Sequence, residues 1–505
     1  MASLDLLIIA AYMVGMVAVG FWTQRKATNQ EQFLVAGRSV GPLLYSGTLA
    51  AVIIGGGATI GGVKLGYTYG ISGMWLVSMY GLGMIVMGVV LVPRILKLRL
   101  YTIPELLQRR YGASARIAGG IVMGCYDFMI VVVATIAIGA IAEVMVGVSR
   151  TQAILLCSAV MIGYSVLGGM WALTATDIVQ FAIKTVGILF ILLPFAIIRA
   201  GGLAGMQQEL PTGFFSMSHI GWDKIASFVT LYFLGILIGQ DGWQRVFTAR
   251  SVSVARTGGV LVGLYCIAYA AAGALIGAAG RAFLPPLADS DLAFAEIAKV
   301  VLPIGLRGLV LAASLAAIMS TATACLLATS TVFLEDVYLT LKKSGGTGSV
   351  AQSRALTLIL GVLAAVVACV MHDVVAALTV GYDLLVGAIF VPIIAAMVFE
   401  RGAPAAAFIS IIVSAILVIV LMFVKGINSV VPIYGGLTVG LVLFLGLSSR
   451  PIAAALSRRD LTKSTAGQHG SIGEGTRTAC GHSERRAPAG HVPMKDHDRM
   501  PRTRE

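Results

Sequence analysis

The chain has 505 residues, of which 58% are hydrophobic and 12% charged, and its mean hydropathy is +0.92. A water-soluble protein carries about twice that share of charge, which excludes an ordinary soluble domain. The net charge of +13 does not point to a nucleic-acid partner, because the basic residues lie in loops between apolar runs and in a polar C-terminal stretch.

Apolar runs of about 20 residues predict an all-α integral membrane protein in contact with the lipid bilayer. In chain order the predicted spans are 5–22, 42–69, 74–96, 117–147, 152–168, 176–198, 226–243, 258–281, 305–333, 355–371, 374–398, 403–424 and 430–448, about 13 transmembrane helices. The run Leu6–Trp22 reads as a span and not as a cleavable signal. Its positive residues, Arg25 and Lys26, follow it, and no small-residue cleavage site comes after. An odd number of crossings puts the termini on opposite sides. Most of the 36 Lys and Arg residues fall in one set of loops, including Arg38, Arg94, Arg109, Arg250 and Lys342, and in the tail. The positive-inside rule then places the N-terminus outside and the C-terminus in the cytoplasm of a multi-pass cell (inner) membrane protein. Residues 451–505 are basic, polar and free of aromatic side chains, and are expected to be a disordered tail. Of the six cysteines, Cys125, Cys157, Cys266, Cys325 and Cys369 lie in apolar runs without metal or disulfide spacing, and read as core residues.

The second span, "AAVIIGGGATIGGVKLGYTYG", contains Gly55, Gly56 and Gly57 in succession. Three glycines cost roughly 3 kcal/mol of helix propensity relative to alanine. Unwound backbone survives at membrane depth only where it lines a cavity, and its free carbonyls can there hold a cation. The seventh span repeats the theme with Gly235 and Gly239. Interrupted spans five apart point to two inverted repeats around a central site. The expected organisation is 1–40 for the first helix and its loop, and 41–400 for a ten-helix core with repeats at about 42–198 and 226–398. Two peripheral helices at 401–450 and the tail at 451–505 complete it.

Five segments then appear in order: "FLVAGRSVGP" (33–42), "YSVLGGMWALTATDIVQ" (164–180), "GQDGWQRVFTARS" (239–251), "AAIMSTATACLLATSTVFLEDVY" (316–338) and "YDLLVGAIFVP" (382–392). Together they resemble the sodium:solute symporter family, which includes sodium/proline, sodium/sugar and choline symporters. The resemblance implies a LeuT-type 5+5 inverted-repeat core that couples uptake of a small organic solute to the inward flux of sodium, the co-transported ion. Carried over by motif, the sodium site would use backbone carbonyls of Ala51, Ile54 and Ala317 with the hydroxyls of Ser320 and Thr321. Those adjacent hydroxyls lie about 100° apart around the helix, so one meets an ion head-on and the other from its flank. The competing reading is that both bond back to carbonyls of their own helix. Asp177 matches an acidic residue on the sodium pathway; a helix N-cap is its alternative.

Three charges inside predicted spans depart from the pattern, Lys64, Asp127 and Lys184, and buried ionisable residues are functional candidates. Asp127 and Lys184 are expected at similar depth, either paired with each other or binding a charged solute group. Proton coupling through Lys184 is the third reading, since a lysine replaces the sodium in some proton-coupled LeuT-type relatives. The candidate solute-binding residues are Gly55, Gly56, Gly57, Asp127, Lys184 and Tyr232. Exposed glycine amides and Lys184 favour a carboxylate-bearing solute; Asp127 with Tyr126, Tyr232 and Phe233 would suit an organic cation. No catalytic triad, metal cluster or nucleotide-binding loop is present, so an enzyme is not expected. A symporter-like membrane sensor is the rival class, disfavoured because the tail is too short for a signalling domain.

Overall fold

The computed structural model describes residues 3–449 apart from 24, 26, 27, 344–347, 372, 400, 401 and 428. The expectations for the 451–505 tail lie outside the described residues. In lipid every peptide group must be satisfied within the protein, which leaves helices as the means for such apolar runs to cross. The described elements are accordingly helical, joined by turns and one isolated bridge between Val40 and Ala249. By length and composition nine described helices are able to cross a membrane, or ten if the bent pair Trp222–Ile236 and Gln240–Val246 counts as one. Thirteen were expected. The difference arises where glycines cut or join helices: Pro42–Ile53, Arg150–Gly163 and Val431–Leu447 are apolar but shorter, and Gly57–Leu98 runs through two predicted spans.

Both predicted interruptions are present. The Pro42–Ile53 helix stops at Ile54 (φ −98°, ψ 81°) and resumes from Gly57. The second break separates Trp222–Ile236 from Gln240–Val246 with a bend of 40°. A further kink at Gly169, with φ +54°, divides Arg150–Lys184. A side chain at Gly169 would also meet the Phe33 ring at 2.5 Å, so both backbone and space require glycine there.

The Leu306–Thr331 helix is buried along nearly its whole length and packs against Ala113–Val146 and Arg150–Lys184. Asp5 of the first helix is fully buried and caps it in trans. It accepts from the amides of Gly305 (2.8 Å) and Gly308 (2.9 Å) and pairs with Arg307 at 2.7 Å, a favoured place for an anion. Elsewhere small residues let backbones touch. A Cβ on Gly277 would sit 2.2 Å from the Val63 carbonyl oxygen, so Gly62–Tyr69 and Val252–Phe283 meet at backbone distance.

The motif segments converge. The Val40 amide donates to Thr248 O (3.0 Å), the Arg250 amide to Val40 O (3.1 Å), and Gln244 Nε2 to Leu34 O (3.1 Å). Trp171 Nε1 donates to Gln32 Oε1 at 2.7 Å. Segments 33–42, 164–180 and 239–251 therefore form one junction that holds the ends of three interrupted helices.

Candidate ion and solute site

Where Pro42–Ile53 ends, its last carbonyls lose their helical partners and carry the negative end of the helix dipole. They face the middle of Leu306–Thr331. Ser320 Oγ shares its one proton between Ala51 O across the gap (2.8 Å) and Ala317 O in its own helix (2.9 Å). Thr321 Oγ1 donates to Val52 O (2.6 Å) and makes a long contact with Ala51 O (3.5 Å). Ala51, Ile54, Ala317, Ser320 and Thr321 are thus brought to one place, and the paired hydroxyls reach across to the broken helix. Thr323, Thr329 and Thr331 instead bond back within their own helix.

Gly55 makes this approach possible. A Cβ there would lie 2.2 Å from Thr321 Oγ1 and 2.5 Å from Thr321 Cβ. Gly55→Ala is expected to push Thr321 off Val52 and to destabilise the protein by about 1–3 kcal/mol, measured as a lowered thermal or denaturant midpoint.

Lys184 is fully buried, and its ammonium donates to Ala50 O (3.1 Å), Ala51 O (3.1 Å) and Ile54 O (2.9 Å). The expected pairing with Asp127 is not formed. Two residues at one depth meet only if their helix faces also agree, and the face of Lys184 is turned to the broken helix. Nor does Lys184 line the small cavity beside the break; its three donors are spent on carbonyls. Asp127 is fully buried beside Asp241 and has no ion-pair partner among the described residues. Lys64 is half-buried and pairs with Asp291 (3.1 Å) and Asp373 (3.6 Å), so it joins segments at a helix end.

Asp177 is not a helix cap. It lies eight residues past the Gly169 kink, fully buried, pairs with Arg245 at 3.1 Å and accepts from the Thr48 hydroxyl. One carboxylate thus ties together three interrupted helices. Gln180 Nε2 donates to Tyr12 Oη (2.8 Å), and Gln240 accepts from the Ile103 amide (2.8 Å), both structural contacts.

Next to the break is a cavity of about 30 Å³, too small for an organic solute, lined in part by Gly55, Gly56, Gly57, Thr321, Tyr80, Tyr126, Asp241 and Tyr382. The glycines stand where they were expected. Tyr232 packs behind the wall, its ring 5.4 Å from Tyr80 and 5.1 Å from Tyr382. Sequence reading passed over Asp241, Tyr80 and Tyr382. Asp241 has only distant side-chain donors, Tyr126 Oη at 3.5 Å and Cys325 Sγ at 3.8 Å, while backbone amides at Asp241 and Gly242 also bond its carboxylate. Its available signal was an acidic residue just past Gly239 in the second interrupted span.

Two discontinuous helices facing each other across a small cavity, with helix-end carbonyls held by side-chain donors beside it, define a membrane transporter of LeuT type. The sodium:solute symporter family model matches residues 33–414, and the chain belongs to that family. It is therefore a multi-pass membrane transporter of a small solute and not an enzyme, with sodium as the co-transported ion. It is 25% identical to a sodium/proline symporter of Staphylococcus aureus over 463 residues, 85% of this chain and 88% of that protein. It is 25% identical to the sodium/glucose cotransporter of Vibrio parahaemolyticus over 379 residues, 67% of this chain and 69% of that protein. In fold it is similar to a substrate-bound, outward-open Na+-coupled sialic acid symporter (TM-score 0.73, 16% identity, covering 88% of this chain and 98% of that one). A nucleobase-cation-symport-1 family transporter in a closed conformation is more distant (TM-score 0.50, 12% identity, 84% and 95% covered).

Proposed function

We propose that this protein takes up a small organic solute bearing a cationic nitrogen, driven by sodium influx, by alternating access across the cell membrane. The observation that carries the solute class is Asp241, a buried carboxylate with no ion pair of its own among the described residues, in a cavity walled by Tyr80, Tyr126 and Tyr382. Tyrosine faces with a buried acid suit an ammonium, whereas a second carboxylate there would meet Asp241 and Asp127. The preference for a carboxylate-bearing solute drew on Lys184, whose amine is committed elsewhere. The sodium ligands we assign are Ala51, Ile54, Ala317, Ser320 and Thr321, with Asp177 positioning the helices around them. The two helix breaks support repeats at about 42–198 and 226–398 as the moving parts. The distribution of basic residues supports an external N-terminus and a cytoplasmic C-terminus.

The test is a melting screen of purified protein against amines, quaternary ammonium compounds, amino acids, carboxylates and sugars, in sodium or potassium chloride. A cationic solute is expected to stabilise, and more in sodium; saturation at about 100 Kd contributes about 2.7 kcal/mol. Stabilisation by carboxylates alone would overturn the solute class. No sodium effect with any ligand would overturn the coupling.

A further inference from the structure

The carbonyl cage assigned above to sodium already holds a cation that belongs to the chain. Lys184 Nζ lies 2.9–3.1 Å from three carbonyl oxygens of the interrupted helix, those of Ala50, Ala51 and Ile54. An ammonium has three donors and no acceptor, so this arrangement satisfies it completely without a carboxylate. Asp177, the acidic residue one to two turns earlier on the same helix, is committed to Arg245 and Thr48. The ammonium therefore stands as a free monovalent ion would: a single positive charge ringed by neutral oxygens at the negative end of a helix. Two of the assigned sodium ligands, Ala51 and Ile54, are among its three acceptors. A sodium ion and the ammonium cannot share them, because both would carry a full positive charge to one point.

We propose that Lys184 is a tethered cation that competes with sodium for the carbonyl cage of residues 50–54, so that sodium binds there only when the lysine side chain has swung out. This rests on the sodium-coupled reading above. It gives the Ile54 carbonyl at the helix break a partner in the ion-free protein, whereas Ala50 O also accepts from the Ile54 amide and Ala51 O from Ser320. It also makes apparent sodium affinity a difference between two cations and not a property of the oxygens alone.

The experiment is a titration of the purified full chain and of Lys184→Met with sodium chloride replacing potassium chloride at constant ionic strength, read by melting temperature. Lys184→Met is expected to half-saturate at a sodium concentration tenfold or more below wild type. Equal half-saturation in both proteins overturns it while leaving sodium coupling intact. No sodium response in either, with solute binding retained, overturns the sodium-coupled reading and the proposal with it. Should Lys184→Met not survive purification, Lys184→Gln keeps two donors without the charge. A wild-type half-saturation in that variant overturns the proposal equally.

Discussion

Asp177→Ala is expected to be among the most destabilising single substitutions in this protein. Asp177 and Arg245 are both fully buried and pair at 3.1 Å. Removing either partner leaves the other charge uncompensated away from water, which costs about 3–5 kcal/mol. The effect reaches beyond the pair. Thr48 donates to Asp177 from the first interrupted helix, and Arg245 lies in the helix that follows the second break. Losing the carboxylate removes the one side chain that bonds to both of the other elements at once. Asp177→Ala and Arg245→Met should each lower the melting temperature sharply and abolish uptake. The double variant should be more stable than the sum of the single losses implies, since it buries no lone charge. A strictly additive double-mutant cycle would show that the pair is not coupled.

Asp241→Asn is expected to do the opposite to stability and as much to function. Asp241 is also buried, but its contacts with Tyr126 and Cys325 are long, at 3.5 and 3.8 Å, and Asp127 lies beside it. Two neighbouring buried carboxylates, attracted only through space by Arg245 and not paired with it, are a cost the fold carries for its site, so neutralising one should leave the melting temperature unchanged or higher. A cationic solute would lose its charge partner. Truncating one member of a buried charge pair costs about 2–5 kcal/mol, which is a loss of about 30-fold or more in solute affinity. Calorimetric or melting titration with the best amine from the screen checks both halves. Undiminished affinity in a well-folded Asp241→Asn would remove this residue from the solute site.

These two aspartates mark the boundary of what a linear reading reaches. The order of the apolar runs determined a multi-pass helical protein, because each helix must satisfy its own backbone in lipid and so needs a stretch of fixed length. The Gly55–Gly57 triplet marked the first break, since three successive glycines weaken a helix. Adjacent hydroxyls at Ser320 and Thr321 marked its partner. The place of each residue along its own helix was also legible, as residue number times rise.

Facing was not. Lys184 and Asp127 were expected at similar depth, and only the packing of helices about their axes decided that one turns to the carbonyls of Ala50, Ala51 and Ile54 and the other toward Asp241. The Asp177–Arg245 pair joins residues 68 apart in sequence, in a junction assembled from three interrupted helices. Tyr382 and Tyr80 come to the cavity from separate helices, each an ordinary aromatic in its own run. Sequence by itself determined which segments cross and where they break, because those are local demands of the backbone. Which cation stands in the cage and which acid faces the cavity were decided by tertiary structure, because they depend on rotations that only neighbouring helices set.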